Sequence, residues 1–171
     1  MHTYYLRLSG TEDVADLCRI SAEARLRYRT FRSLAHIAEA PALSPARLEA
    51  CRVVVALDSE SQKILGFVAM RLLDGLVYLD NISVDPSASG VGIGAKLLSA
   101  VTEHAECLGV QAVSLTTFRE PLWNGPWFRK HGFRTMPAAD IGEGLKQVMA
   151  RQWLTLDATT RETLWRVLCD Q

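Results

Sequence analysis

Residues 78–98 read YLDNISVDPSASGVGIGAKLL and combine a strand, a turn and a helix in one stretch. The apolar alternation over 77–84 predicts a strand, which Asp85 and Pro86 end. Glycines at 90, 92 and 94 then open a helix. Such a turn presents unpaired backbone N–H groups and the favourable end of the helix dipole, so the stretch predicts an anion site. The apolar positions of this helix follow helical spacing: Ile93, Leu97, Val101, Ala105 and Leu108.

The composition is that of a globular domain without a strong net charge. Of the 171 residues, 49% are hydrophobic and 22% are charged, and nineteen basic residues balance nineteen acidic ones. We predict a single domain over 1–171, which buries about two thirds of the surface of its unfolded chain. Because no run of lysine or arginine appears, a nucleic-acid partner has no electrostatic support and none is expected.

The sequence predicts neither a membrane partner nor a metal site. The first five residues lack the blocks of a signal peptide, and the longest apolar runs, such as 64–70, are too short to span a bilayer. We therefore expect a cytoplasmic protein. The cysteines stand far apart without a CxxC pair, which predicts reduced, mostly buried thiols rather than metal ligands or disulfides: Cys18, Cys51, Cys107 and Cys169.

The N-terminal third is predicted to be largely helical. Residues 4–8 predict a first strand, and Thr11 is a candidate N-cap for a helix that runs to about Arg27. Residues 28–43 mix helical spacing with a proline, which predicts a second, broken helix or a lid. The buried stripe of the first helix is predicted to comprise Val14, Leu17, Cys18 and Ser21.

Antiparallel strands are predicted between this region and the glycine turn. Ser44 and Pro45 together form a helix-start signal, and a short helix is expected to end near Cys51. Asp74-Gly75 is a strong signal for a tight hairpin turn. The predicted strands are 52–57, 63–73 and 76–84.

Beyond the glycine turn, helices and strands alternate. The helix over 92–107 is followed by Gly109, a residue type typical of the position after a helix end. Antiparallel strands followed by one strand–helix–strand crossover predict a mixed α+β fold. The tail is less regular until its last strand. The remaining predicted elements are a strand over 111–117, a short helix over 124–131, a strand from Phe133 and a last strand over 161–168.

Two motifs resemble the GCN5-related N-acetyltransferase (GNAT) superfamily, whose members move an acetyl group from acetyl-CoA to an amine. The first is Val-Asp-Pro at 84–86 with the glycines of 90–94 and Leu-Leu at 97–98. The second is 121–133, where WNGP leads to HGF. A dinucleotide-binding site is disfavoured, because antiparallel hairpins precede the glycine turn and no acidic residue closes the next strand. A Walker loop is absent.

The resemblance implies a twisted, mostly antiparallel mixed sheet, splayed in the middle and flanked by helices as a three-layer α/β/α fold. The splay is expected where the strand that ends at Val84 meets the strand that starts near Gln111. The pantetheine arm of acetyl-CoA would pair there with the backbone of Ile82 and Val84. Further cofactor contacts are implied at the pyrophosphate loop and in the second motif: Ser89, Gly90, Val91, Gly92, Ile93, Gly94, Ala95, Asn124 and Phe128.

The sequence departs from the family pattern at two positions. Ser89 stands where a glutamine or arginine usually supports the loop, which predicts weakened rather than abolished CoA binding because several backbone donors remain. Phe128 stands where the family has the tyrosine that protonates the departing thiolate. A thiol with a pKa of about 8.5 is already a tolerable leaving group near neutrality, so a base for the amine is expected to matter more.

The resemblance implies that residues on the strand before the glycine turn face the acceptor amine. Asp80 is the candidate base or ammonium anchor, because the family commonly has a glutamate on this strand, and a solvated strand carboxylate is the alternative. Tyr78 presents a hydroxyl nearby or packs in the core. Tyr28 and Phe31 are expected to wall the acceptor site.

Other polar residues of the two motifs have two interpretations each. Asn124 either caps the short helix or contacts the cofactor or substrate, and His131 is expected to lie on the surface near the end of that helix. Lys96, Arg129 and Lys130 either meet the 3′-phosphate of CoA or are solvated.

Together, the residues and the resemblance predict an acetyl-CoA-dependent N-acetyltransferase. Its acceptor is expected to be the primary amine of a small molecule, which attacks directly in a ternary complex without a metal. A peptide or protein acetyltransferase and a CoA-binding sensor or scaffold with little turnover stay as alternatives, and a homodimer is left open.

Overall fold

Seven strands form one open sheet in the computed structural model, which describes residues 3–41 and 43–168. The strands are β1 (Tyr4–Leu8), β2 (Arg52–Asp58), β3 (Ile64–Leu73), β4 (Leu76–Val84), β5 (Ala112–Phe118), β6 (Arg134–Thr135) and β7 (Arg161–Val167). Their order across the sheet is β1-β2-β3-β4-β5-β7-β6. The β4–β5 ladder is parallel, whereas β1–β2, β2–β3, β5–β7 and β6–β7 are antiparallel. The predicted mixed, mostly antiparallel sheet is confirmed.

The α-helices begin and end close to the predicted positions, with one addition. They are α1 (Val14–Arg25), α2 (Pro45–Glu49), α3 (Ile93–Leu108), α4 (Gly125–Lys130) and α5 (Glu143–Gln152). The Ser44 hydroxyl accepts a hydrogen bond from the Arg47 N–H at 3.3 Å, and Pro45 is the first residue of α2, as predicted. Gly109 follows α3 with a φ of +68°, which suits the predicted glycine after the helix end.

The described residues group into two compact units. Unit one comprises residues 3–71, without Ala42, and Asp80–Val101; unit two comprises Leu72–Leu79 and residues 102–168. Both β3 and β4 contribute residues to each unit, so the division does not follow a linker. The single domain over 1–171 stays a prediction.

Unit one is built on the strands β1 to β4 with helices packed on them. Apolar residues of α1, α2, β2 and β3 share one buried cluster: Leu17, Ile20, Leu43, Leu48, Val53, Val55, Leu57, Ile64, Phe67 and Ala69. Gly66 in β3 allows a close approach to β4, because a Cβ at that position would lie 2.8 Å from the Ser83 carbonyl oxygen. This contact sets the end of β4, from which the glycine turn departs.

Unit two packs α5 against β5 and β7. The buried residues of this cluster are Tyr78, Ala112, Met136, Leu145, Val148 and Trp165. The ladder of the two parallel strands consists of Val77 with Val113 and Tyr78 with Ser114 in the described residues.

The first helix starts differently from the prediction. Gly10, not Thr11, occupies the cap position, and Thr11–Asp13 form a 3₁₀ turn before α1. The Asp13 carboxylate accepts a hydrogen bond from the Gly10 N–H at 2.8 Å, which supplies the cap from inside the turn. Ile20 and Ala24 are fully buried on this helix, whereas Val14 and Cys18 of the predicted stripe are only partly buried.

Two further stretches are helical, and one of them was predicted to be. The segment predicted over 28–43 as a broken helix or a lid contains two 3₁₀ helices, Leu26–Thr30 and Arg32–Glu39, which agrees with the broken-helix alternative. The less regular tail contains α5, which the sequence analysis missed.

The three cysteines in the described residues are free thiols, but none of them is fully buried. Cys18 and Cys51 are half-buried and Cys107 is exposed. The prediction for buried thiols is therefore wrong for Cys107, which lies on the outer face near the end of α3. Cys169 lies outside the described residues.

Candidate active site

The glycine turn before α3 is open and has the backbone conformation that glycine alone adopts readily. Gly90 and Gly92 have φ angles of +82° and +86°, and a Cβ at either position would meet nothing within 4 Å. The first backbone bond of the helix runs from the Lys96 N–H to the Gly92 carbonyl at 3.1 Å. The N–H groups that precede Lys96 in the first helical turn therefore make no helical hydrogen bond to the residue four positions earlier. They lie in an accessible loop.

This arrangement fits a phosphate group. The anion can approach the loop because the glycines leave space there, and the N–H groups and the helix dipole favour negative charge. The buried side chains of Ile93 and Leu97 fix α3 on the core, so the first turn is held in place. Ser89 and Val91 are exposed beside these glycines.

Asp85 holds the turn that leads into the loop. Its buried carboxylate accepts hydrogen bonds from the Ser87 N–H at 2.9 Å and the Ser87 hydroxyl at 2.6 Å. Arg19 and Lys63 lie 3.6 and 3.5 Å from the same carboxylate. Burial alone would raise the pKa of Asp85, but the bonds from Ser87 and the charge of Lys63 lower it. In the sequence, Asp85 was interpreted as the end of a strand and as part of the Val-Asp-Pro motif, but its bonds to Ser87 were not predicted, although Asp-Pro-Ser is a turn signal.

Asp80 is neither solvated nor free, because Arg47 binds it with two hydrogen bonds. Arg47 Nε donates to Asp80 Oδ2 and Arg47 Nη2 to Oδ1, each at 2.9 Å. Cys51 Sγ donates to Oδ2 at 3.6 Å. The Asp80 side chain is 6% exposed and that of Arg47 48% exposed, so the guanidinium covers the carboxylate. The solvated-carboxylate alternative is therefore wrong.

The thiol beside Asp80 is protonated at neutral pH. Burial, followed by the negative charge of Asp80 and the hydrogen bond to it, raises the pKa of Cys51 to about 11. The sequence analysis named neither Arg47 nor Cys51 as a site residue. They lie 33 and 29 residues before Asp80, and no local pattern links them to it.

The two predicted acceptor-wall residues of unit one differ in exposure. Tyr28 is buried in the first 3₁₀ helix, and Phe31 is half-buried just after it. An open cavity of about 680 Å³ is lined by Thr30, Phe31, Arg32 and Ser33. Phe31 therefore borders a space that a ligand can enter, whereas Tyr28 contributes mainly to packing.

Ile82 and Val84 are half-buried residues of β4 that alternate with Ser83, which is buried. The Ser83 hydroxyl donates to the Asn81 side-chain oxygen at 2.8 Å. Together with Asp80 and the glycine turn, these residues belong to unit one. The structure thus groups the predicted pantetheine strand, the predicted loop and Asp80 in one unit.

Tyr78 belongs to unit two and is buried, as the packing interpretation predicted. Its hydroxyl lies 3.4 Å from Thr116 Oγ1. The Thr116 hydroxyl donates to Gln152 Oε1 at 2.9 Å and accepts from Arg161 Nη2 at 3.1 Å. This polar network joins β4, β5, α5 and β7 within the unit. The sequence analysis did not single out Thr116, Gln152 or Arg161.

The second motif also lies in unit two, and its residues take structural positions there. Phe128 is buried and packs edge-on against Trp127 and Phe133, with ring centroids 5.1 and 5.5 Å away. Asn124 stands at the N-cap of α4, but its side chain makes no cap hydrogen bond, so the capping interpretation is wrong. The His131 ring lies 4.5 Å from that of Trp127.

The basic candidates for the CoA 3′-phosphate are not equivalent. Arg129 Nη2 donates to Glu162 Oε2 at 2.8 Å and to Thr135 Oγ1 at 3.1 Å, so this exposed side chain is tied to β6 and β7. Lys96 and Lys130 are exposed. The lysines therefore remain the more accessible cations.

Within residues 3–41 and 43–168, no group of three or more His, Cys, Asp or Glu side chains is arranged to hold a metal ion. In the same part of the chain, no helix combines the length and the hydropathy needed to cross a bilayer.

The chain is similar in sequence and fold to known acetyltransferases. A family model of the acetyltransferase (GNAT) domain matches residues 49–135, just over half of the chain. A GNAT-family acetyltransferase from Staphylococcus aureus is 16% identical with a TM-score of 0.69, over 98% of this chain and 100% of that one. An N-acetyltransferase of Escherichia coli that acts on an alanine of a ribosomal protein is 15% identical with a TM-score of 0.66, over 99% and 96%.

A third similar structure contains ligands. The N-acetylglutamate synthase of Neisseria gonorrhoeae, in complex with coenzyme A and N-acetyl-glutamate, is 17% identical with a TM-score of 0.65. The match covers 99% of this chain and 36% of that one. The family match and the similar structures define the class of the protein as an acyltransferase. The chain belongs to the GNAT acetyltransferase family, and acetyl-CoA is its co-substrate.

Proposed function

We propose that this chain transfers the acetyl group of acetyl-CoA to the primary amine of a small molecule, which attacks directly in a ternary complex. The observation that carries the proposal is the combination of the open glycine turn with a covered carboxylate on the strand just before it. Asp80 and the turn belong to the same unit. A carboxylate so placed serves an incoming amine better than it serves the co-substrate, because CoA itself is an anion.

The co-substrate side of the site rests on backbone groups. The N–H groups of residues 90–95 would hold the pyrophosphate, and the backbone of Ile82 and Val84 would pair with the pantetheine arm. Since Ser89 replaces a long polar side chain, the loop relies on these N–H groups. For Asn124 and Phe128 we propose indirect roles in cofactor binding: the buried Phe128 ring stabilises α4, at whose N-cap Asn124 stands.

The acceptor amine needs help that the thioester does not. An alkylammonium with a pKa near 10.4 is neutral in only about one molecule per few thousand at pH 7, and only the neutral amine attacks. Asp80 would anchor the ammonium and accept its proton, directly or through water. Because both of its oxygens are bonded to Arg47, the acceptor must first take the place of that guanidinium.

The departing thiolate is proposed to leave without a side-chain acid at the family's usual position. When bound, the co-substrate supplies an activated acetyl group and a thiolate leaving group. Phe128 has no proton to donate, and its ring is buried among other aromatic rings. General acid–base catalysis typically accelerates a reaction about 10²- to 10⁴-fold. Because a thiol with a pKa of about 8.5 is already a good leaving group, we expect the missing acid to cost an amount near the low end of this range.

One alternative function has an observation in its favour. A CoA-binding sensor with little turnover would explain why both Ser89 and Phe128 depart from the family pattern. A protein acceptor, as for the similar ribosomal-protein acetyltransferase, would require an extended groove beside Asp80. A cytoplasmic location and a homodimer remain predictions.

The experiment measures the binding of acetyl-CoA by calorimetry and the release of CoA thiol with a panel of amines. Gly92→Ala is expected to raise the dissociation constant for acetyl-CoA at least about tenfold, because a Cβ would occupy part of the open space that the phosphate would take and would strain the positive φ of the turn. Gly109→Ala is the matched control, since that glycine also has a positive φ and open space but ends α3. Absence of binding at millimolar acetyl-CoA overturns the proposal; binding without turnover favours the sensor.

A further inference from the structure

The Arg47–Asp80 pair carries information about the acceptor beyond its amine. We infer that the acceptor also bears a carboxylate, as a free amino acid does, and that Arg47 exchanges Asp80 for this carboxylate when the acceptor binds. This inference rests on the proposed function, because it names the substrate class for the same site. The two charges of the acceptor would then replace the two halves of an existing ion pair.

The pair is able to exchange partners. Within the described residues, the hydrogen bonds to the Asp80 carboxylate come from the side chains of Arg47 and Cys51. Arg47 lies on α2, a helix of five residues, and about half of its side chain is exposed. Its guanidinium can therefore turn toward a ligand without unfolding a strand. The planar guanidinium of Arg47 can bind the carboxylate of a ligand with the same two-bond geometry that it uses for the Asp80 carboxylate.

The surrounding charge favours a ligand that brings a negative group. Burial and the positive charge of Arg47 lower the pKa of Arg25, and the charges of Arg71 and Arg47 both act to lower the pKa of Cys51. Arg25 and Arg71 thus add positive charge to the surroundings of the Arg47–Asp80 pair, while the Cys51 thiol is neutral. Arg25 donates to the carbonyl oxygens of Ser21 and Pro41 at 3.3 and 2.8 Å, whereas its buried Nη2 has no hydrogen-bond partner within the described residues.

This charge distribution separates three acceptor classes. A simple amine would displace Arg47 and leave its guanidinium without a carboxylate, next to a further positive charge. A polyamine would add still more charge of the same sign. An amino acid adds no net charge, gives Asp80 an ammonium and gives Arg47 a carboxylate. Only the last class restores both pairings.

The sequence offers a related signal around the open cavity. Arginines recur at 25, 27, 29 and 32 without an acidic residue between them, and Arg32 lines the cavity with Phe31. Arg29 is bound to Glu39 at 2.7 Å, so this cation is already neutralised. The basic character of this segment agrees with an acceptor that has an anionic end.

The test compares each amino acid with its own carboxamide and with its decarboxylated amine. Glycine, alanine, leucine, phenylalanine, glutamate and lysine are supplied with saturating acetyl-CoA, and CoA thiol release gives kcat/KM. The best acceptor is expected to exceed its carboxamide by about tenfold to a hundredfold, the range for a charge-assisted bidentate contact. Loss of the neighbouring negative charge makes the amine of the carboxamide easier to deprotonate. Intrinsic reactivity therefore favours the carboxamide, and a preference for the acid must come from binding.

Arg47→Ala should abolish this preference, so that acid and carboxamide have similar kcat/KM, while the dissociation constant for acetyl-CoA is unchanged. Arg47→Lys should keep part of it. Arg7→Ala is the matched control, because Arg7 also forms a bidentate pair with a buried aspartate in unit one; it should keep the full preference. If Arg47→Ala does not fold, the wild-type acid-to-amide ratio still decides the question.

The outcomes separate this inference from the proposed function. Equal use of acid and carboxamide, or an unchanged preference in Arg47→Ala, overturns the amino-acid acceptor but leaves an amine acetyltransferase. Failure to bind acetyl-CoA, or binding without acetylation of any amine in the panel, overturns the proposed function and this inference with it.

Discussion

Two arginine–aspartate pairs of unit one have nearly the same geometry but differ in what else holds the carboxylate. Arg7 binds Asp13 at 2.7 and 3.1 Å, and Arg47 binds Asp80 at 2.9 Å twice. Both aspartate side chains are 6% exposed. Asp13 also accepts the Gly10 backbone N–H at 2.8 Å, whereas the further donor to Asp80 is a thiol at 3.6 Å.

This difference suggests a structural role for the Arg7–Asp13 pair and an exchangeable contact for the Arg47–Asp80 pair. The backbone bond ties Asp13 to the start of a helix, so the Arg7 pair cannot open without disturbing the chain. Within the described residues, the Asp80 carboxylate is held by side chains, and the longer bond of 3.4 Å from Arg47 Nη2 to the Asp80 carbonyl oxygen is made by the same guanidinium, so the pair can open by movement of the Arg47 side chain. We therefore expect the Arg7–Asp13 pair to contribute mainly to stability and the Arg47–Asp80 pair to take part in ligand binding.

Asp80→Asn is expected to give the largest effect on activity. The amide keeps the shape of the side chain but cannot hold an ammonium or accept its proton, so kcat/KM for the amine should fall about 10²- to 10³-fold. The dissociation constant for acetyl-CoA should not change, since the loop is untouched. Steady-state kinetics and calorimetry measure the two quantities; unchanged turnover would remove Asp80 from the chemistry.

Asp13→Asn is expected to act on stability instead. Loss of the charge-assisted bonds from Arg7 and Gly10 should lower the free energy of unfolding by about 2 kcal/mol, less than for a fully buried pair because Arg7 can be rehydrated. Turnover per folded molecule should stay at the wild-type value. Urea denaturation measures the first quantity and an activity titration the second.

The stability difference between wild type and Asp13→Asn should depend on pH, which gives a second test of the Arg7–Asp13 pair. The hydrogen bond from Arg7 is the main cause that lowers the pKa of Asp13, in spite of its burial. A carboxyl group with a lowered pKa stabilises the fold above its unfolded-state pKa, and this contribution disappears as pH falls through the folded-state value. The gap between wild type and Asp13→Asn should therefore be full at neutral pH and shrink below about pH 4. A constant gap down to pH 3 would contradict the assignment.

Cys51 gives the smallest expected effect and reports directly on Asp80. With a pKa of about 11, only about one thousandth of this thiol is ionised at pH 8, so alkylation should be much slower than at exposed Cys107. Asp80→Asn removes the charge that helps to raise this pKa and should speed the alkylation of Cys51 severalfold. Mass spectrometry of modified peptides measures both rates, and Cys107 should react equally in both proteins.

Local signals predicted the parts of the fold that local geometry determines. Gly90 and Gly92 have positive φ angles in an open turn, and the hairpin turn at Asp74-Gly75 has φ angles of 53° and 75°. Ser44 caps α2 as predicted. These positions were predictable because the conformations exclude most other residue types, or because one side chain meets its partner within three residues.

The partners of Asp80 could not be predicted because they are brought to it by tertiary packing. Arg47 is on a short helix and Cys51 directly precedes β2, so neither position carries a motif. Helix α5 was missed for a related reason. It begins after Gly142 and contains Gly144, which weaken its local helix signal, and no side chain within it supplies the cap.

That cap comes from the tip of the hairpin between β3 and β4. Asp74 Oδ1 and Oδ2 accept hydrogen bonds from the N–H groups of Gly144 and Leu145, each at 2.8 Å, from 70 and 71 residues earlier in the chain. Hairpin tips usually tolerate insertions during evolution and engineering. Here, a longer loop at Asp74 would carry the carboxylate away from α5 and leave the start of that helix uncapped, so the length of this turn is constrained by an element that forms far downstream.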